Sequence, residues 1–136
     1  MSYLLDTNVL SELFKKNPHP GVVEWLSQRP VESLFISVLT LGELRKGAQG
    51  VKDDMRRMKL MDWLQTDLPI FFSGRTLPID HFVADRWGRL MYAAGRPLPS
   101  IDSLLAATAL HHGLDMVTRN HKDFDHLNLE VINPWC

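Results

Sequence analysis

Four segments of this chain carry an oxygen-bearing side chain where an apolar run meets a helix or a loop. Asp6 follows Tyr3-Leu4-Leu5, and Glu43 follows the run from Leu34 to Leu39. Asp102 opens the helical pattern after Ser100, and Asn120, with Asp123 three residues on, follows Met116 to Thr118. Gathered together, such carboxylates repel one another, raise each other's pKa and weaken the fold unless a cation lies among them. An all-oxygen set of acids and an amide suits Mg²⁺ or Mn²⁺ rather than zinc. Such an ion activates water and neutralises phosphate, which is the chemistry of phosphodiester hydrolysis. Taken singly, each acid has a plainer use. Asp6 fits a turn or cap, Glu43 closes a Thr40-Leu41-Gly42-Glu43 capping box, Asp102 suits a helix dipole, and Asp123 fits a solvated loop.

Whether the acids meet depends on the elements that carry them. Tyr3-Leu4-Leu5 reads as a strand buried on both faces. Thr7 or Asn8 caps the helix behind it, whose apolar positions are Val9, Leu10, Leu13 and Phe14 and whose end is Lys15-Lys16-Asn17-Pro18. A second helix follows Pro20-Gly21 with Val22, Val23, Trp25 and Leu26. Leu34 to Leu39 reads as a second strand, which places Glu43 in the first turn of the next helix. Residues 52 to 68 predict a long helix with Met55, Met58, Leu60, Met61, Leu64 and Leu68 on its apolar face. Phe71 to Pro78 reads as loop leading to a third strand over Thr76 to Ile79. Asp80 caps a helix striped by Val83, Trp87, Leu90, Met91 and Ala94. Ser100 caps another, Ile101 to His112, with Ile101, Leu104, Leu105, Thr108 and His112 inward, and Gly113 ends it. A strand at Met116 to Thr118, a polar loop from Arg119 to His126 and a strand at Val131 to Ile132 complete the chain.

Strands alternating with helices imply a three-layer α/β/α sandwich around a mainly parallel sheet of four or five strands. Each strand that leads straight into a helix delivers its acid to the carboxyl edge of that sheet. The short turn at Gly113 makes the preceding helix antiparallel to the fourth strand, so Asp102 belongs at the same edge.

The length of 136 residues fits a single domain, 1–136, with a core that needs no staples. A lone Cys136 excludes an internal disulfide and favours a reducing, cytoplasmic setting. No run is long enough to span a membrane, and no signal peptide is evident. With a net charge of −1, the chain as a whole does not attract nucleic acid. A nucleic-acid function therefore needs a local basic patch or a bound cation.

Four blocks, in this order and spacing, resemble the signatures of PIN-domain ribonucleases. They are Leu4-Leu5-Asp6-Thr7-Asn8, Ser37 to Leu44, Asp102 to Ala109, and Val117-Thr118-Arg119-Asn120-His121-Lys122-Asp123-Phe124. Asn133-Pro134-Trp135 adds to the likeness, which is to the VapC-type toxins of bacterial toxin–antitoxin pairs, FitB-like members included. The resemblance implies a PIN fold and a Mg²⁺- or Mn²⁺-dependent endoribonuclease acting on tRNA, rRNA or mRNA. It further implies a homodimer and a small DNA-binding antitoxin that threads a segment toward the active site. It assigns Asp6, Glu43 and Asp102 to the acidic cluster, with Asp6 and Asp102 as direct metal ligands. Glu43 binds through water or orients the nucleophile, and Thr7 or Thr118 gives hydrogen-bonding support. At the fourth position many relatives carry Asp where this chain has Asn120, which leaves Asn120 or Asp123 to fill it. A neutral amide there implies one tightly held ion, with a second only when substrate phosphate supplies oxygens.

Arg45 and Lys46, just past Glu43, are the basic residues expected nearest the rim and so the candidates for RNA contact. Two other readings compete. A haloacid-dehalogenase-type phosphohydrolase would use Asp6 as nucleophile, but it wants a second acid two residues on, where Asn8 stands. A catalytically silent interaction module on the same fold has no use for three intact acids. The histidines match no zinc-protease spacing.

Overall fold

The computed structural model describes residues 1–124 and 126–136. Its five strands are β1 (Tyr3–Leu5), β2 (Leu34–Ser37), β3 (Thr76–Leu77), β4 (Asp115–Val117) and β5 (Val131–Ile132). All pair in parallel, in the order β3-β2-β1-β4-β5. The chain builds outward from β1 on one side, then returns to the other side of β1 for β4. Strand order therefore reverses between β1 and β4, and a crevice opens at the carboxyl ends of those two strands.

Side-chain alternation along the strands fills both faces of this sheet. Tyr3, Leu5, Leu34, Ile36 and Val117 point to one core. There they meet α1 (Thr7–Leu13), α2 (Pro20–Ser27), α3 (Val38–Gln49) and the helical run α4 (Asp54–Asp62) to α5 (Leu68–Phe71). Leu4 and Met116 point to the other core, with Leu105, Ala106 and Ala109 of α7 (Ser100–His112) against them. Leu90, Met91 and Ala94 of α6 (His81–Ala94) close that layer. The three-layer α/β/α sandwich is thus the observed architecture, with a sheet that is wholly parallel. Among the described residues, no helix is long and apolar enough to cross a membrane.

Several expected boundaries move, each for a local reason. The second strand ends at Ser37 rather than Leu39, because the Ser37 hydroxyl accepts a hydrogen bond from Leu39 N and caps α3 three residues ahead of Thr40. Thr40 is therefore inside the helix and fully buried, no capping box forms, and Glu43 sits in the second turn rather than the first. The third strand stops at Leu77, before Pro78, which has no N–H to give a ladder. The fourth covers Asp115–Val117 and leaves Thr118 beyond its end. The helix expected to stop at 68 runs on to Phe71. Pro69 removes one backbone donor, and a π turn over Trp63–Asp67, with Leu68 N bonded to the Trp63 carbonyl, re-registers the ladder ahead of it. Met55 and Met58, placed on its inner face by periodicity, are 70% and 65% exposed.

Asp80 does cap α6, accepting from Val83 N at 3.0 Å. Ser100 does not cap α7. Pro99 holds the N-cap position and Ser100 is the first helical residue. The inner face of α7 is Ser103, Leu105, Ala106, Ala107, Thr108 and Ala109, so Ile101 and His112 are outside the core they were assigned to. Gly113 ends the helix in the left-handed region at φ 67°, and Leu114 N bonds back to Ala109 O at 2.8 Å. That tight reversal turns α7 antiparallel to β4. The polar loop after Thr118 contains a 3-10 turn, His121–Asp123, while position 125 lies outside the described residues.

One glycine is set by a close approach rather than by a turn. A Cβ on Gly21 would lie 2.6 Å from the Pro134 carbonyl oxygen. Gly21→Ala is therefore expected to lower stability by about 1–3 kcal/mol, read by denaturant unfolding, because backbone must move to admit the methyl.

Candidate functional site

Asp6 is the first residue past β1. Its backbone N–H still donates to Val117 O of the neighbouring strand at 2.9 Å, which fixes the residue at the β1–β4 junction. Its side chain is held on both oxygens. Oδ1 accepts from Thr7 N at 2.7 Å, so Asp6, rather than Thr7 or Asn8, is the N-cap of α1. Oδ2 accepts from Thr118 Oγ1 at 2.8 Å. The Thr118 hydroxyl in turn accepts from Asn120 N at 3.1 Å and Asn8 Nδ2 at 3.3 Å, so its proton has one destination, Asp6. The capping use of Asp6 and a use in chemistry are therefore compatible.

Glu43 reaches the same place from α3, and the Thr7 hydroxyl donates to its Oε1. Asp102 arrives from the first turn of α7 on the far side of the sheet. With Asn120, these acids line one open cavity of about 330 Å³. Asp123 does not line it, but its charge still acts on both Asp6 and Asp102. The structure thus brings together Asp6, Thr7, Glu43, Asp102 and Asn120 on the wall, with Thr118 behind Asp6.

The electrostatics are those of partly buried acids that raise one another's pKa. Burial raises the Asp6 carboxyl above the usual range, against the lowering effect of the Thr118 and Thr7 hydrogen bonds, and Glu43 and Asp123 add to the rise. Asp102 is pushed up to about 6, first by burial and then by the charges of Asp6, Asp123 and Glu43. Among the described residues, no three carboxylate, imidazole or thiol groups converge closely enough to enclose an ion. The donor set has the chemistry of a Mg²⁺ or Mn²⁺ site, but one that leaves most coordination positions to water or to a ligand.

The two basic residues expected at this rim stand elsewhere. Arg45 places Nη1 2.8 Å from Met61 Sδ and does not line the cavity. Lys46 opens on a neighbouring groove that Glu43 also borders. The cations that do line the cavity are Lys15 and Arg119, together with the buried Glu12 and the C-terminal Trp135. Periodicity marks α1 only by its apolar residues, so a buried Glu12 among them leaves no signal until Trp135 is seen beside it.

A second concavity, about 510 Å³ and lined mostly by apolar side chains, lies on the other side of α1. Leu13, Leu26, Trp63 and Phe71 are in its wall. Leu13 and Phe71 are 40% and 48% exposed there.

A family model described as PIN domain matches residues 3–129. The chain is 35% identical over 135 residues to a protein named VapC ribonuclease Y4jK from Sinorhizobium fredii, covering 97% of this chain and 96% of that one. It is 34% identical, at 97% coverage of each, to a protein named Toxin FitB from Neisseria gonorrhoeae. In three dimensions it superposes on the crystal structure of FitAcB from Neisseria gonorrhoeae with a TM-score of 0.90 and 33% identity over 98% of both chains.

Proposed function

The chain belongs to the PIN-domain family, and from that premise we propose that it is a ribonuclease toxin. In this reading residues 1–136 form one PIN domain that cleaves RNA with Mg²⁺ or Mn²⁺ and is silenced by a small antitoxin, in the cytoplasm. The observation that carries it is the meeting of Asp6, Glu43 and Asp102 on one cavity, at the point where strand order reverses. The ribonuclease and toxin names of relatives a third identical along nearly the whole chain support it. The sequence motif is not the dehalogenase one, since Asn8 is an amide with no acid proton to transfer, and it is bonded into the wall through Thr118 and Arg119 N.

Asp6 and Asp102 would hold the ion, with Asn120 beside them and Asp123 adding negative potential from behind. The ion supplies charge neutralisation at phosphate and a lowered pKa for bound water. This chain's own residues do the rest. Thr118 and Thr7 N orient the Asp6 carboxylate by a hydrogen bond to each of its oxygens. Thr7 donates to Oε1 of Glu43, which lines the cavity, and the carboxylate would orient the attacking water and take its proton. Water adds to phosphorus as the bond to the 3′-oxygen breaks. That oxygen gains a proton from solvent, so the products carry a 5′-phosphate and a 3′-hydroxyl.

The apolar groove beside α1 suits an amphipathic antitoxin segment that continues over the cavity mouth. Leu13→Asp places a carboxylate in that groove and is expected to raise, by about tenfold or more, the antitoxin concentration that silences cleavage. Expression in cells tests the function as a whole. A pulse of this chain is expected to stop growth and create new RNA 5′ ends, and co-expressed antitoxin to reverse both. Unaffected growth with an unchanged RNA population would refute the toxin assignment.

A further inference from the structure

An acidic cavity repels the polyanion it is meant to cut, so the substrate must be gripped by cations close to the acids. We propose that Lys15 and Arg119 form a phosphate clamp at the cavity mouth, positioned by Glu12 and Trp135, that holds the RNA phosphate next to the one cleaved. The inference rests on the nuclease reading above and adds the residues that bind its substrate.

Lys15 and Arg119 line the same cavity as Asp6, Glu43 and Asp102. They come from opposite ends of the chain and are joined through the C-terminal segment. Glu12, only 5% exposed, pairs its Oε1 with Lys15 Nζ at 3.0 Å and accepts the Trp135 indole N–H at 3.3 Å. Its Oε2 accepts His19 N at 3.0 Å, so the carboxylate is held from three sides. The guanidinium of Arg119 lies over the Trp135 ring at 5.6 Å. Its backbone is pinned as well, with N donating to Asn8 Oδ1 at 3.3 Å and O accepting from Asn133 Nδ2 at 3.2 Å. Asn133 Oδ1 in turn accepts Trp135 N at 3.0 Å, which sets the indole. Trp135, set by Asn133, thus forms part of the wall of the acidic cavity.

Charge decides the order of importance. Lys15 is half-exposed and keeps two N–H donors after pairing with Glu12, yet the pair is neutral overall. Among the described residues, the Arg119 guanidinium meets an aromatic face and no carboxylate, so its charge is uncompensated and serves phosphate. Arg119 is therefore the stronger half of the clamp.

Binding of a short fluorescent oligouridylate to the full-length Asp6→Asn protein, followed across roughly 50 to 200 mM salt, tests this. Arg119→Gln on that background is expected to weaken binding about tenfold and to flatten the salt slope by about 0.7. Lys15→Gln weakens it about threefold with a similar loss of slope, whereas Lys16→Gln, an equal charge change outside the cavity, leaves both unchanged. Glu12→Gln keeps an acceptor for the indole and leaves Lys15 its charge, so the salt slope stays at the parent value. Trp135→Leu behaves like Arg119→Gln, and Trp135→Phe, which restores a ring under the guanidinium, recovers most of the binding. With Asp6 intact, Arg119→Gln raises KM about tenfold and changes kcat less than about twofold. Parent-like affinity and salt slope in Lys15→Gln and Arg119→Gln would overturn the clamp and leave the nuclease reading standing if the wild type still cuts RNA. Should Trp135→Leu fail to fold, Arg119→Gln decides alone. A wild type that neither binds nor cuts RNA overturns both readings.

Discussion

Asp6→Asn is expected to reduce RNA cleavage by about a thousandfold, the loss of roughly 4 kcal/mol of transition-state stabilisation. The substitution keeps the side chain's shape and removes its charge. Thr7 N can still donate to the amide oxygen. The Thr118 hydroxyl, however, now faces an NH₂ group, and because it already accepts from Asn8 and Asn120 N it loses its only acceptor. That costs about 1 kcal/mol, which the removal of a buried charge offsets. Little change in unfolding free energy beside a thousandfold loss of turnover separates a role in chemistry from a role in capping. If Asp6 only capped α1, Asn, an equally good cap, would leave activity in place.

Asp102→Asn should have two opposite effects: cleavage falls by a similar factor, and the metal-free protein becomes more stable. The native carboxyl, raised to about 6, binds a proton more readily than the same group in the unfolded chain. Folding therefore takes up a proton between about pH 4 and 6, and the contribution of Asp102 to stability falls as pH rises through that window. Below it the acid is neutral in both states and the variant gains nothing. Above it Asn avoids the repulsion, a gain of about 1 kcal/mol after allowing for solvent screening of a partly exposed group. Melting in EDTA should show the variant a few degrees above wild type at pH 7 and level with it below pH 4. Adding Mg²⁺ should raise the wild-type midpoint at pH 7 and leave that of the variant nearly unmoved. An equal Mg²⁺ response in both proteins would remove Asp102 from the ion's ligands.

Connection lengths explain why so much of this site can be read before any coordinates. A strand that runs straight into a helix, or a helix that turns back through one glycine, leaves no choice about which sheet edge receives Asp6, Glu43 and Asp102. What is misread is decided by competition within a turn. Ser37 and Thr40 are both plausible caps, and only the observed Ser37 bond to Leu39 N shows which one wins. The helix runs past the expected end at 68, because a π turn over Trp63–Asp67 precedes Pro69 and the core holds Leu64 and Leu68 on the same apolar side. The clamp residues are hidden for a different reason. Glu12 and Trp135 are 123 positions apart, and no periodicity or capping rule links two residues at that separation. Arg45 and Lys46, close to Glu43 in sequence, illustrate the converse, since neighbours along a helix point to different surfaces.

The central claim is that Asp6, Glu43 and Asp102 serve a divalent ion in cutting RNA. The most direct measurement is cleavage of a labelled single-stranded RNA by the purified chain, with Mg²⁺ or Mn²⁺ and again in EDTA. Internal cuts bearing 5′-phosphates with the divalent ion, and none in EDTA, are the predicted result. Cleavage that persists in EDTA, or release of phosphate from a simple monoester with the RNA left whole, would contradict it.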